Sequence, residues 1–178
     1  MLVRVLGGAV LALGLIATAA AAQDGDVLAP ARAGQLQCFE PNVAAKTCQS
    51  LGSFAFHPNG VIDNAAEMVL MPQPLIVMRA TAPVTLQNNA ICGPITSADI
   101  DRATFTINGA AASAEESAQL KAAMQQQLAP MFGQETCLTL TPVDGGFRAD
   151  STVAGTARPD LAQRVIWVGA NDGWRVAP

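Results

Sequence analysis

Residues 50–71, SLGSFAFHPNGVIDNAAEMVLM, carry the signal that decides the fold. Two strand-like runs, 50–56 and 61–71, flank the turn sequence HPNG. Asn59 and Gly60 suit a hairpin turn because both residues tolerate positive φ. The stretch therefore predicts two antiparallel strands joined by a tight turn.

Further strand signals follow on the carboxyl side of this hairpin. The run PLIVMRA (74–80) is apolar at consecutive positions, which predicts a strand buried on both faces. Pro83 is expected to separate it from VTLQ (84–87), and Asn88-Asn89 should turn the chain towards AICGPI (90–95). The run ATFTING (103–109) has strand character again.

The last third of the chain predicts two more hairpins. TCLTLTPV (136–143) and FRADSTVAG (147–155) are joined by a glycine-containing turn. RVIWVGANDGWRV (164–176) predicts the second hairpin, with Asn171, Asp172 and Gly173 at its bend.

One segment is clearly helical. Ser113 and Glu116 form a capping-box signature, and Leu120, Met124 and Leu128 follow on one face at helical spacing. Thr96 or Ser97 should cap a shorter helical turn that ends at Ile100. The predicted fold class is α+β: a mainly antiparallel sheet of hairpins or a meander, with one longer helix at about 114–129.

The N-terminus has the three-part pattern of a secretory signal peptide. Arg4 precedes the apolar run 5–16, and the small residues 18–22 end before Gln23. We expect cleavage after Ala22, a flexible lead-in over 23–34 and a single globular domain over 35–178. No transmembrane anchor is expected after cleavage, because the apolar run is shorter than the roughly 20 residues that span a bilayer.

Composition narrows the range of partners. The net charge is -4, only two lysines are present, and no basic patch is visible. A nucleic-acid partner is therefore disfavoured. Low lysine content and high alanine content are consistent with a GC-rich bacterial genome. Together with the signal-peptide pattern, they lead us to expect a periplasmic or secreted protein. Its expected partner is a protein or a small-molecule ligand of that compartment.

Four cysteines, Cys38, Cys48, Cys92 and Cys137, are expected to form disulfides, because an even number in an exported protein is typical of them. The spacing C-x9-C with one histidine in the chain does not fit a zinc site, and the redox motif C-x-x-C is absent. Three connectivities are possible, of which we favour Cys38–Cys48 with Cys92–Cys137. A short helical turn starting at Pro41 would bring the first pair together. The sequence indicates no metal and no cofactor.

Three residues form the candidate binding surface. Trp167 and Trp174 flank the bend of the last predicted hairpin, and Arg158 precedes it. Tryptophan often anchors recognition surfaces, although these two could equally cover the end of the core.

Two alternative chemistries remain open. Asp99 and Asp101 could serve as the carboxylates of a small hydrolase, although acidic residues are also common at helix starts. Met68, Met71 and Met78 could bind Cu(I) through their thioethers, although methionine also fills cores. His57 is expected to be an exposed turn residue.

Several segments together resemble a family of small exported proteins of alphaproteobacteria. They are QCFEPNVAAKTC, AICGPI, ARPDLAQ and VIWVGANDGWRVAP, which are spread over nearly the whole mature chain. The resemblance implies export and a single domain, and it implies no activity. Export, the expected disulfides and the absence of a catalytic constellation in the sequence instead predict a non-enzymatic binding or interaction protein of the cell envelope, with no catalytic residue assigned.

Overall fold

The computed structural model of the protein describes residues 25–178. The predicted signal peptide, residues 1–22, lies outside the described residues. The strands are β1 (Gln35–Phe39), β2 (Thr47–Cys48), β3 (Ser50–Phe56), β4 (Ile62–Pro72), β5 (Leu75–Gln87), β6 (Ala90–Pro94), β7 (Thr104–Ile107), β8 (Ala110–Ala111), β9 (Glu135–Val143), β10 (Gly146–Val153), β11 (Thr156–Gly169) and β12 (Arg175–Val176). The helices are α1 (Ala29–Arg32), α2 (Ser97–Arg102) and α3 (Ala114–Leu128), and α3 runs into a 3₁₀ turn, Ala129–Met131.

Eight of the strands close into an antiparallel barrel. Around it the order is β1, β3, β4, β5, β6, β9, β10 and β11, and β11 pairs with β1. The prediction of a mainly antiparallel sheet with one longer helix is confirmed, whereas the expected arrangement of hairpins or a meander fits only in part. The α+β description is incomplete, because the sheet closes on itself rather than remaining open. Closure pairs the strand edges that an open sheet would expose.

The branch point of the sheet is β5, which is 13 residues long. One edge of β5 pairs with β4 over most of its length. Its other edge pairs first with β7, at Ile76–Arg79, and then with β6, at Thr85–Gln87. The β5–β6 pairing continues the barrel, whereas β7 and β8 form a side branch. The segment between β6 and β9 thus supplies α2, β7, β8 and α3 outside the barrel strands.

Pro83 does not interrupt the strand, contrary to the sequence-based expectation. It pairs with Asp63 of β4, and β5 continues through it to Gln87. Residues 80–84 of β5 have a partner on one edge only, because they lie between the β7 and β6 pairings. Proline is tolerated where the missing N–H has no ladder bond to make.

The helices lie where the capping signals placed them. Thr96 caps α2 and Ser113 caps α3, each in a complete capping box with Asp99 or Glu116. Leu120 and Met124 of α3 pack against a cluster formed by Met78, Ala103 and Phe105. The expected helical turn after Pro41 is absent. A bridge between Asn42 and Thr47 closes a tight turn there instead.

Residues 27–32, which the sequence assigned to the lead-in, take part in the core. Leu28 is fully buried and packs with Ala31, Ile62 and Ile91. The backbone N–H of Val27 donates to Asn89 Oδ1 at 3.0 Å, which ties this segment to the β5–β6 turn. Residues 27–32 therefore close one end of the barrel and are called the plug below.

The predicted C-terminal hairpin is wrong. β12 pairs in parallel with β2, at Thr47 and Cys48, rather than with β11. Asp172 holds the bend by accepting from the backbone N–H of Gly169, and Lys46 Nζ donates to the carbonyl of Asp172 at 2.8 Å. These contacts direct the chain across to β2 instead of back along β11.

Both predicted cysteine pairs are present as disulfides. Cys38–Cys48 joins β1 to β2 and is fully buried beside Val168 and Trp174. Cys92 and Cys137 are cross-strand partners on β6 and β9, with Cα atoms 4.1 Å apart. The second bond therefore links the two barrel strands that are separated by the α2–α3 insertion.

The two disulfides should differ in their contribution to stability. The Cys92–Cys137 loop has a sequence separation of 45 and the Cys38–Cys48 loop one of 10. Loop entropy gives about 4 kcal/mol for the longer loop and about 2.7 kcal/mol for the shorter. We expect Cys92→Ala with Cys137→Ala to lower the free energy of unfolding more than Cys38→Ala with Cys48→Ala, measured by urea denaturation. The opposite order would show that packing around the buried Cys38–Cys48 bond outweighs loop entropy.

Candidate functional site

The barrel interior contains a cavity of about 230 Å³. It exists because the inward positions of three adjacent strands carry small side chains. Gly52 and Ala66, register partners on β3 and β4, line it together with Ala82 of β5. An eight-stranded barrel is just wide enough to be filled by side chains or to hold one small ligand. A row of small residues therefore leaves space for a ligand.

The cavity has a mixed lining of apolar and uncharged polar side chains. None of the described residues that line it carries a charge. Its lining residues are Gln37, Phe39, Gly52, Phe54, Asn64, Ala66, Ala82, Pro83, Val84, Ile91, Gly93, Pro94, Ile95, Thr136, Leu138 and Ser151.

Two polar atoms of this lining are buried without a partner. Gln37 Nε2 and Thr136 Oγ1 make no hydrogen bond within the described part of the chain. Gln37 is only 2% exposed. Leaving a buried polar group unpaired costs about 1–3 kcal/mol, so native proteins pair nearly all of them. Both residues line the same cavity, which points to a hydrogen-bonding occupant close to them.

Gly52 lies beside both amide side chains of the cavity. A β-carbon at position 52 would lie 3.4 Å from Asn64 Nδ2 and 3.8 Å from Gln37 Oε1. Asn64 Nδ2 donates to the carbonyl of Ser53 at 3.2 Å, which fixes its orientation. The floor of the cavity at β1, β3 and β4 is therefore polar, and its geometry depends on the missing side chain at position 52.

The apolar wall is supported from behind. Phe54 lines the cavity and packs against Trp167, with ring centroids 6.1 Å apart and an interplanar angle of 48°. Val84, Ile91 and Leu138 line the cavity and also belong to the cluster around Leu28. The same apolar side chains thus form the wall of the cavity and the surface on which the plug packs.

The plug is held by polar contacts at its exposed side. Arg32 Nε donates to Asp26 Oδ2 at 2.6 Å, and the backbone N–H of Leu28 donates to Asp26 Oδ1 at 2.9 Å. The hydrogen bond from Arg32, together with that of Leu28, lowers the pKa of the Asp26 carboxyl despite some desolvation. The Arg32 guanidinium also lies 4.0 Å from the ring centroid of Phe56. This small network anchors residues 26–32 over the barrel end.

A larger groove of about 580 Å³ lies on the outer face of β3, β4 and β5. Leu51, Glu67, Arg79 and Thr104 are consecutive register partners across it. Its two arginines are already paired: Arg79 with Glu67 at 2.6 Å and Arg102 with Asp99 at 2.5 Å. Each arginine of the groove therefore already has a carboxylate partner.

The structure does not bring the three predicted binding residues together. Trp167 is half-buried and packs inside the barrel against Phe54. Trp174 covers the Cys38–Cys48 disulfide on the outside. Arg158 pairs with both carboxylate oxygens of Asp160. It lies nine residues from Trp167 along β11, on the other side of a register shift in the β10–β11 pairing. The tryptophans therefore belong to two separate packing clusters.

The two carboxylates proposed for a hydrolase have structural contacts. Asp99 accepts from the backbone N–H and hydroxyl of Thr96 and pairs with Arg102. Asp101 Oδ1 accepts from Gln125 Nε2 of α3. The first carboxylate thus caps α2, whereas the second joins α2 to α3, and neither lines the interior cavity.

The methionine and histidine candidates are also accounted for by packing and turns. Met78 is buried, and Met68 packs against the same cluster, whereas Met71 is exposed. His57 Nε2 lies 2.9 Å from Asp63 Oδ2 at the exposed β3–β4 turn. Among residues 25–178, no group of three or more His, Cys, Asp or Glu side chains could hold a metal ion. No helix in that part of the chain is both long and apolar enough to cross a membrane.

Comparisons with protein-family models, curated proteins and solved structures gave no significant match.

Two glycines of the barrel should respond in opposite ways to alanine. At Gly93 a β-carbon would lie 2.8 Å from the carbonyl oxygen of Pro83, so the β5 and β6 backbones would have to separate. At Gly52 the nearest atom is 3.4 Å away, an ordinary contact. We expect Gly93→Ala to destabilise by about 1–3 kcal/mol and Gly52→Ala to be neutral or stabilising by up to about 1 kcal/mol. Urea denaturation measures both, and equal effects would contradict this description of the cavity floor.

The plug should weaken in acid. Because the pKa of Asp26 is lowered on folding, its contribution is complete above the ordinary aspartate pKa of about 3.9 and is lost as the pH falls through the folded value. We expect Asp26→Asn to lower the melting temperature at neutral pH, and the difference from the wild type to shrink below about pH 4. A difference that stays constant from neutral to acidic pH would exclude this carboxylate as the anchor.

Proposed function

We propose that this protein is an exported, non-enzymatic binding protein of the cell envelope that holds a small molecule inside its barrel. The interior cavity, with the unpaired Gln37 Nε2 and Thr136 Oγ1, is the observation that carries the proposal. A bound molecule would restore the hydrogen bonds that these buried groups lack.

The export part of the proposal is supported by the cysteines and the N-terminal sequence pattern. Both cysteine pairs are disulfide-bonded, and no cysteine among residues 25–178 is free. Such bonds persist in oxidising compartments such as the periplasm. The signal-peptide pattern of residues 1–22 agrees with this location.

Binding rather than catalysis is supported by the cavity lining. Acid–base and nucleophilic catalysis usually need His, Asp, Glu, Lys or Cys side chains within reach of the bound molecule. The described lining presents only apolar groups, two amides and two hydroxyls. These groups can orient a ligand through hydrogen bonds, which suits a carrier or a sensor.

A thermal-shift experiment tests this function. The protein, produced with its own leader in a Gram-negative host, is mixed with low-molecular-mass fractions of a periplasmic extract. A ligand at a hundred times its Kd stabilises the folded state by about 2.7 kcal/mol, so a binding fraction should raise the melting temperature by several degrees.

Two neighbouring substitutions on β5 provide the matched controls. Ala82 lines the interior cavity, whereas Thr81 lines the outer groove. Ala82→Leu should abolish the shift because it fills the cavity, and Thr81→Leu should leave it unchanged. A shift that disappears only in Thr81→Leu would place binding in the outer groove, and no shift with any fraction would contradict the proposal.

A further inference from the structure

The cavity restricts the charge of its ligand. The lining includes no charged side chain among the described residues, and Gln37 at its floor is 2% exposed. An ion entering such a space loses its hydration and gains no counter-charge, which is strongly unfavourable. A neutral molecule loses only the hydration of its polar groups, and hydrogen bonds to Gln37 and Thr136 can offset that loss.

The unpaired atoms restrict where the ligand must carry polar groups. The Gln37 amide nitrogen can only donate, so its partner must be an acceptor such as a carbonyl or hydroxyl oxygen. The Thr136 hydroxyl can donate or accept. Phe54, Ile91 and Leu138 on the facing walls favour an apolar body.

The volume restricts the size of the ligand. At about 230 Å³, the cavity exceeds the roughly 150 Å³ apolar cavity that accepts benzene, and it is smaller than the roughly 300–1,000 Å³ pockets of drug-sized ligands. One substituted ring, or a branched chain of similar bulk, fits between these limits.

We infer that the barrel binds a small neutral amphiphile: a single ring or branched apolar body with one carbonyl or hydroxyl oxygen accepting from Gln37 Nε2. This inference rests on the proposed function and adds the ligand class. It also assigns Gln37 as the residue through which the barrel binds oxygen-bearing ligands in preference to hydrocarbons of equal size.

Four probes of similar size separate charge from polarity. They are acetophenone, its hydrocarbon analogue ethylbenzene, the anion benzoate and the cation benzylammonium. Binding is followed at pH 7 by ¹H–¹⁵N NMR of the Gln37 side-chain amide, whose signal is identified by its loss in Gln37→Leu. We expect acetophenone to shift this signal and to bind at least ten-fold more tightly than ethylbenzene, with no saturable binding of either ion.

Substitutions test the role of the amide. Gln37→Leu should weaken acetophenone about ten-fold and leave ethylbenzene nearly unchanged, which a general structural defect would not do. Ala82→Leu should abolish acetophenone binding, and Thr81→Leu should retain it. Backbone NMR spectra of each variant show whether the barrel is intact. Thr136→Val tests the hydroxyl independently of the Gln37 amide, and we expect it to lower the affinity for acetophenone by less than Gln37→Leu does.

Several results would overturn the inference. Benzoate or benzylammonium binding as tightly as acetophenone would reject a neutral ligand, and ethylbenzene binding equally would reject the oxygen contact. Long-lived water at the Gln37 amide, with no probe binding, would show that the cavity holds water only. If extract fractions still stabilise the protein in that case, the proposed function stands and the ligand class is wrong; if they do not, both fail.

Discussion

The pairing of β4 with β5 is the interaction on which the rest of the structure depends. Without this pairing, the eight barrel strands would form an open sheet with β4 and β5 at its two edges. The side chains that now face the interior would then face solvent or a separate layer. Ten register pairs connect the two strands, from Ile62 with Val84 to Pro72 with Leu75. Closure converts one face of eight strands into a shared interior, so the side-chain volumes on that face determine whether the interior is filled or hollow.

The interior is hollow at one level and filled above and below it. Gly52, Ala66 and Ala82 leave space at the centre, whereas Leu28 fills one end and the Met78–Phe105 cluster fills the space beside α3. Two unrelated parts of the chain, the plug and the α2–α3 insertion, therefore cover apolar groups that the barrel strands alone would expose. Burial of those groups favours both the closed barrel and the position of its covers.

Local signals in the sequence predicted most elements, because they depend on neighbouring residues. The capping boxes at Thr96 and Ser113, the Asn88-Asn89 turn and the β9–β10 hairpin all follow from short patterns. Barrel closure and the β12–β2 pairing join residues that are far apart in sequence, so no local pattern indicates them.

The sequence did not predict the cavity for a related reason. In the run Leu36-Gln37-Cys38, alternation suggests that Gln37 faces solvent, yet Trp174 and Val168 cover the outer face, and Gln37 faces inward. The Gln37 amide, between the apolar residues Leu36 and Cys38, was the available signal in the sequence. It becomes informative only once the opposite face of β1 is known to be covered.

The seam between β1 and β11 has a consequence for how the molecule is made. Gln35 pairs with Gly169, so the first barrel strand pairs with the last one, and 134 positions of the chain separate these two residues. Contacts of such high sequence separation form late, since the loop between them must be closed first. The hairpins β3–β4 and β9–β10 join neighbouring residues and can form early, whereas the barrel cannot close until β11 reaches β1. Until then β1 has only β3 as a barrel neighbour, and the exposed edge of β1 is the part of the folding chain most open to incorrect strand pairing.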